Sequence, residues 1–176
     1  MRRRSVAAIV IVLLAVALGV VVCRAAHAPA SSTPPTARPK APAFRVAALT
    51  GGTVSLASLH GKTVVVGFVQ PDCGTCVGTL RTLAQVAAKA PAGRVAVLAV
   101  NVNTYTTAAD LARFASQIGA EHGPQFVLDR GDRMARAYGV QTLETEVVID
   151  PAGRIVTKGV ALPASKLLAA ARPAAT

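Results

Sequence analysis

The chain has 176 residues, a formal net charge of +11 and 52% hydrophobic residues, with 3% aromatic residues and no tryptophan. This length allows about one ordinary domain with its own core, which must be built from aliphatic side chains. Six basic residues and no acidic ones precede position 43, and the other 13 are scattered among 8 acidic residues. A nucleic-acid-binding face requires clustered basic residues, so we expect no nucleic-acid partner.

The N-terminal segment, residues 1–23, is typical of a membrane anchor or a signal segment. Three arginines at positions 2–4 precede an uncharged apolar run of 18 residues that ends at Cys23. Such a run is just long enough to cross a bilayer as a helix, and the arginines before it favour a cytoplasmic N-terminus. We expect a single-pass protein of the cell membrane with an extracytoplasmic domain, or a secreted domain if cleavage occurs near residues 28–30.

The next segment, residues 24–42, is rich in Ala, Pro, Ser and Thr and contains five prolines. This composition is typical of an extended, semi-rigid linker. Val22 stands before Cys23, where a lipoprotein signal needs a small residue, so we interpret Cys23 as the end of the apolar run. Residues 43–176 then form the predicted domain.

From position 44 onward, strand patterns alternate with helix patterns. Strands at 44–49 and 53–55 are predicted to form a hairpin around two glycines, and the apolar run 63–69 predicts a strand buried on both faces. Helices are predicted at 75–89, 107–118, 132–138 and 164–171, and strands at 95–102, 126–128, 146–150 and 154–158. This order predicts a three-layer α/β/α fold with a mixed central sheet and an extra N-terminal β-hairpin.

The segment that carries chemistry is Gln-Pro-Asp-Cys-Gly-Thr-Cys, residues 70–76, between the buried strand and the first long helix. Cys73 is placed at the start of this helix, where free backbone N–H groups and the helix dipole favour a thiolate. Cys76 lies about one turn further, close enough for a disulfide. We predict that Cys73 attacks a disulfide, that Cys76 resolves the mixed disulfide, and that no cofactor or metal takes part.

Three other interpretations of the cysteine pair remain open. A structural disulfide is one, although a two-residue loop restrains the unfolded chain very little. A zinc site is another, but it needs further ligands, and His60 and His122 lack ligand-like spacing. The third, two unrelated buried cysteines, gives no reason for their place at a helix start.

Four short segments together resemble the TlpA/ResA-type thioredoxin-like family: Leu-His-Gly-Lys at 59–62, Cys-Gly-Thr-Cys at 73–76, Tyr-Gly-Val at 138–140 and Val-Val-Ile-Asp-Pro-Ala-Gly at 147–153. The resemblance covers roughly residues 42–170. It implies a thioredoxin-like fold and an extracytoplasmic protein-disulfide oxidoreductase that works in the reducing direction. It also implies protein thiols or disulfides as substrates and a membrane protein as electron donor or acceptor.

The departures from this family concern the surroundings of the dithiol. Asp72 stands where relatives carry an aromatic residue, and Glu144 stands where they carry a cis-proline, so the peptide bond before Glu144 is expected to be trans. Relatives carry a proton-transferring acid where this chain has Gly67 and Thr79. We hypothesise that Glu144 partly replaces this acid; the alternative is a solvated loop carboxylate. Both Asp72 and Glu144 would disfavour a nearby thiolate.

Related families supply rival functions. A Sco-like Cu(I)-binding module is one, since Cu(I) favours thiolates. Sco proteins, however, place three residues between the cysteines and a histidine before the last hairpin, and residues 141–146 contain no histidine. A peroxiredoxin-like peroxidase usually has Thr or Ser where this chain has Gln70. A redox-inactive binding domain on the same fold is the third rival.

Overall fold

The structure is a computed structural model that describes residues 38–120 and 123–172. The predicted N-terminal segment 1–23 and most of the predicted linker lie outside the described residues. Within these residues, no helix is both long enough and apolar enough to span a bilayer. The boundary at 42/43 remains a prediction, although Lys40 already pairs with Arg154 and the Ala41 N–H donates to the carbonyl of Gly153.

In the described part of the chain, seven strands form one mixed sheet with the order β2-β1-β5-β4-β3-β6-β7. They are β1 (Arg45–Ala48), β2 (Thr53–Ser55), β3 (Thr63–Val69), β4 (Val95–Asn101), β5 (Gln125–Leu128), β6 (Thr145–Ile149) and β7 (Ile155–Val160). The three central strands β5, β4 and β3 are parallel. β6 and β7 run antiparallel to their neighbours at one end, and β1 and β2 do so at the other.

Four α-helices cover the sheet in the same described part, together with a short 3-10 helix. They are α1 (Cys76–Lys89), α2 (Ala108–Gln117), α3 (Arg133–Ala137) and α4 (Ala164–Ala170), with the 3-10 helix at Ala57–Leu59. The bounds of the four α-helices agree with the predicted ones to within one residue at each end. The predicted α/β thioredoxin-like fold with a mixed sheet is confirmed.

The two faces of the sheet carry separate cores, and β3 contributes to both. Val65 and Val69 pack under α1, α2 and α4, whereas Val64, Val66 and Phe68 pack on the opposite face, which α3 covers. All seven residues of β3 are buried. This explains the continuous apolar run, because in a central strand side chains alternate between two buried faces.

The family-like Tyr-Gly-Val segment anchors the second of these cores. Tyr138 ends α3, and its ring lies between Phe44 and Phe68, with centroids 6.4 and 6.0 Å away. Its hydroxyl donates to the carbonyl of Pro42 at 2.8 Å, and burial raises the pKa of Tyr138. The segment therefore has a packing role, on the face opposite α1.

Candidate active site

The dithiol lies at the edge of the sheet where the parallel strands end. β3 ends at Val69, the chain turns so that the Cys73 N–H donates to the carbonyl of Gln70 at 3.3 Å, and α1 begins at Cys76. Ligands of α/β folds bind at this carboxyl edge. The motif therefore stands between strand and helix as the sequence indicates, with Cys73 in the turn that leads into α1.

The two cysteines form a close but unequal pair. Their sulfur atoms lie at disulfide distance, with the Cα atoms 5.3 Å apart. Cys76 is completely buried, whereas Cys73 is partly exposed. The Cys76 N–H donates to the sulfur of Cys73 at 3.2 Å, and the Thr75 hydroxyl lies 3.3 Å from the same sulfur. Hydrogen bonds of this kind favour a thiolate at the accessible position when the pair is reduced.

Asp72 connects the cysteine turn to the loop that follows β4. Its carboxylate accepts a hydrogen bond from the side-chain amide of Asn103 at 3.3 Å, and the amide oxygen of Asn103 accepts from the Tyr105 N–H at 2.9 Å. Asp72 is exposed, and the Tyr105 side chain is 93% exposed. The Asp72 carboxylate is thus hydrogen-bonded to the loop after β4 and directly precedes Cys73 in the chain.

Glu144 occupies a clamped position before β6. Its N–H donates to the carbonyl of Phe68 at 2.8 Å, and its carbonyl accepts from the Ala161 N–H at 2.9 Å. The residue is half-buried with a left-handed φ of 64°, and the peptide bond before it is trans, like the others in the described residues. Its carboxylate accepts from the Thr79 hydroxyl at 3.4 Å, so it reaches α1 about one turn beyond Cys76.

A second glutamate, which is not among the site residues predicted from the sequence, lies deeper. Glu146 in β6 is fully buried, and it is the cross-strand neighbour of Gly67. Its Oε2 accepts from the Leu162 N–H at 3.0 Å, and its Oε1 has no hydrogen-bond partner among the described residues. Burial raises the pKa of Glu146 to about 7, with repulsion from Glu144 acting in the same direction and the Leu162 N–H opposing it.

The described residues at this edge of the sheet do not form a set of metal ligands. Across the described residues, no three or more His, Cys, Asp or Glu side chains are grouped so that they could hold a metal ion. The chemistry that the arrangement offers is that of two neighbouring sulfurs, with carboxyl groups close to the same end of α1.

Residues 37–158 match the AhpC/TSA family, and no curated protein matches the chain. A Chlorobium tepidum protein assigned as thiol:disulfide interchange protein DsbE superposes with a TM-score of 0.64 at 29% identity, over 75% of this chain and 90% of that one. A Neisseria meningitidis protein assigned as a thioredoxin gives 0.60 at 28% identity, over 69% and 80%.

A more distant structure agrees in fold alone. A secreted disulfide oxidoreductase of Mycobacterium tuberculosis has a TM-score of 0.61 at 23% identity, over 73% of this chain and 93% of that one. Taken with the family match, these similarities confirm the resemblance to TlpA/ResA-type thioredoxin-like proteins.

Proposed function

This chain belongs to the AhpC/TSA family, and we propose that it exchanges disulfides with protein substrates through Cys73 and Cys76. The observation that carries this proposal is the unequal pair itself: two sulfurs at disulfide distance, one partly exposed and the other fully buried. The names of the similar structures, which include a disulfide interchange protein, support the same reaction type. An unequal pair divides the work between an attacking and a resolving thiol.

In the reducing direction, the Cys73 thiolate attacks one sulfur of a substrate disulfide. A bond forms between Cys73 and the substrate, and the other substrate sulfur leaves as a thiolate and takes a proton. Cys76 then loses its proton and attacks the Cys73 sulfur, which releases the second substrate thiolate. Two electrons pass from the protein dithiol to the substrate disulfide, and the substrate gains two protons. Because Cys76 is buried, it meets Cys73 far more readily than an external disulfide.

The cellular setting extends this proposal. The apolar run in residues 1–23 supports a membrane-held protein with its domain on the extracytoplasmic side, facing a membrane electron donor or acceptor and secreted protein substrates. The family resemblance favours the reducing direction. The direction depends on the reduction potential of the pair relative to that of its electron donor.

The test is a trapping experiment with the pre-reduced full-length protein and a synthetic peptide that contains one internal disulfide. We expect Cys76→Ser to accumulate a mixed disulfide between Cys73 and the peptide, visible by mass spectrometry, and Cys73→Ser to form none. Cys23→Ser is the matched control, since this third cysteine lies outside the domain, and it should turn over like the parent. Full turnover by Cys73→Ser would refute the proposal.

The rival functions are examined with the same protein. A Sco-like module would form a tight, stoichiometric Cu(I) complex through the reduced pair, and a peroxidase would consume hydrogen peroxide with dithiothreitol as reductant. We expect disulfide exchange to exceed peroxide turnover by about two orders of magnitude or more, because Gln70 replaces the Thr or Ser of peroxidases and the loss of such assistance is worth about 10²–10⁴-fold. A tight stoichiometric Cu(I) complex without peptide reduction would favour the Sco-like alternative, and rapid peroxide turnover the peroxidase.

A further inference from the structure

The carboxyl group of Glu146 lies in a slot that the neighbouring strands leave open. Its cross-strand partners are Gly67 on β3 and Gly159 on β7. A Cβ atom added at Gly67 would lie 2.7 Å from Leu83 Cδ1, and one added at Gly159 would lie 2.6 Å from Leu162 Cδ2. Directly opposed residues of neighbouring strands point to the same face of a sheet. The two leucines therefore wall the slot, and the Glu146 side chain faces α1 between them.

The slot opens towards the inner face of α1, whose first turn includes the resolving cysteine, Cys76. Cys76 and Thr79 are both buried on the inner face of the helix and lie one turn apart, so their side chains are neighbours. The Thr79 hydroxyl donates to Glu144, and it is also near enough to Glu146 to favour the ionised form of that carboxyl group. The Thr79 hydroxyl is thus close to both carboxyl groups, and Thr79 follows the buried thiol by one turn on the same helix.

A carboxyl group in this place is unfavourable for the fold itself. Transfer of an ionisable group out of water is costly unless its oxygens are satisfied, and Oε1 of Glu146 has no partner among the described residues. An apolar residue of similar volume would fill such a slot without that penalty. Packing alone therefore does not account for a glutamate here.

We propose that Glu146 accepts the proton of the buried Cys76 thiol, relayed by the Thr79 hydroxyl, when Cys76 resolves the mixed disulfide. This inference rests on the proposed function. The Thr79 hydroxyl turns its hydrogen from Glu144 to Glu146 and receives the thiol proton as it passes its own on, and the Cys76 sulfur forms its bond with Cys73 as the bond between Cys73 and the substrate breaks. The departing substrate thiolate takes up a proton, and Glu146 later releases one, so protons and electrons balance.

The charges around Glu146 are compatible with this role. The charged side chain that acts on it is Glu144 before β6, while its neighbours on β3, β7 and the loop before α4 are Gly67, Gly159 and Leu162, none of which is charged. Cys76 lies one turn before Thr79 on the buried face of α1. A pKa of about 7 lies near that of a thiol, about 8.5. Acids and bases transfer protons most effectively when their pKa is near the working pH.

The test separates attack from resolution in one reaction. The reduced full-length protein, in a Cys23→Ser background, is mixed with 5,5′-dithiobis(2-nitrobenzoate) in a stopped-flow instrument. The first thionitrobenzoate released reports attack by Cys73, and the second reports closure of the disulfide by Cys76. We expect the parent's second phase to show an inflection near pH 7. In Glu146→Gln this inflection should vanish and the phase should slow at least about tenfold, with the first phase changed less than about twofold.

A second variant keeps the proposal falsifiable if Glu146→Gln fails to fold. Thr79→Val preserves the volume of the side chain and removes the relay hydroxyl, so we expect a slower second phase and an unchanged first phase. If the second phase of both variants has the rate and pH profile of the parent, the role of Glu146 is overturned. If only Thr79→Val folds, the same result in that variant overturns it. A parent protein that releases no second thionitrobenzoate at any pH would instead overturn the proposed dithiol function.

Discussion

Two residues with carboxyl groups, Asp129 and Glu146, are buried in the described part of this domain, and they differ in how their oxygens are hydrogen-bonded. Asp129, 3% exposed, accepts hydrogen bonds from the Met134 N–H at 2.9 Å and from the Ala135 N–H at 2.8 Å, so both of its oxygens are paired at the first turn of α3. Glu146 is equally buried but keeps one oxygen without a partner among the described residues. Burial alone therefore does not mark a functional acid. What distinguishes Glu146 is an oxygen without a partner on the α1 side of the sheet, opposite Gly67.

The two sites also differ in what their charge does for the fold. A carboxylate at the start of a helix satisfies N–H groups that have no partner within the helix, and it interacts favourably with the helix dipole. The Asp129 carboxylate thus stabilises α3, whereas ionisation of Glu146 opposes folding because it places a charge between apolar walls. Loss of the carboxylate should consequently destabilise the fold at Asp129 and, at neutral pH, stabilise it at Glu146.

The largest effect on stability is expected for Asp129→Ala. Two buried N–H groups of α3 lose their acceptor, at about 1–3 kcal/mol each for an unsatisfied group. We expect the free energy of unfolding, measured with urea, to fall by about 2–4 kcal/mol, while the pH profile of the resolution step keeps its shape. A loss below about 0.5 kcal/mol would contradict the claim that the Asp129 carboxylate stabilises α3.

Glu146→Gln should change how stability depends on pH. The folded state raises the pKa of Glu146 from 4.5 to about 7, so the folded protein holds a proton that the unfolded chain releases. Stability is then highest below about pH 4.5 and decreases as the pH rises towards 7, by roughly 2–3 kcal/mol. Urea titrations between pH 4 and 8 should show this decrease in the parent and a flatter curve in the variant. The same dependence of the free energy of unfolding on pH in both proteins would contradict the raised pKa of Glu146.

Gly67→Ala probes one wall of the slot. Its Cβ would lie 2.7 Å from Leu83 Cδ1, and such overpacking typically costs about 1–3 kcal/mol. Gly78→Ala is the matched control, because Gly78 is exposed on α1 and an added Cβ would meet nothing within 4 Å apart from its chain neighbours and the backbone of its own helix. This control should gain about 0.5–1 kcal/mol from helix propensity. Thermal unfolding of both variants measures the difference, and equal behaviour would show that the slot is open.

The smallest effect is expected for Glu144→Gln, which separates the two glutamates. Repulsion from Glu144 raises the pKa of Glu146, so its removal should move the inflection of the resolution step to lower pH by less than about one unit, without abolishing it. If the inflection disappears in this variant and persists in Glu146→Gln, Glu144 itself is the replacing acid. An unchanged profile and rate would remove both the repulsion and a role for Glu144.

The sequence predicted the fold well because its elements are signalled locally. The apolar run of β3, the helical spacing after the cysteines and the Pro-Ala-Gly turn each depend on residues close in the chain. These signals place Cys73 between β3 and α1 and Cys76 in the first turn of α1, as the structure has them. The conformation of Glu144 also followed from local chemistry, since a residue other than proline strongly disfavours a cis bond.

Glu146 was missed because its role depends on the register between strands that are far apart in the chain. The missing acid at Gly67 and Thr79 is visible in the sequence, but no local pattern places β6 beside β3 with Glu146 opposite Gly67. One local signal was available: a glutamate among the β-branched residues of 145–149, a segment whose five residues are all buried in the structure. An isolated charge within a buried strand of this kind is the feature to look for in similar sequences.

The most direct test of the account is a redox titration of the full-length protein in glutathione buffers, with the thiols counted by alkylation and mass spectrometry. We predict that Cys73 and Cys76 change state together as one two-electron couple. The midpoint should lie between about −120 and −270 mV and, for the reducing direction, nearer the value of about −270 mV typical of thioredoxin. Two thiols that stay open to alkylation in every buffer, or that titrate independently, would contradict the claim that they act as one exchanging pair.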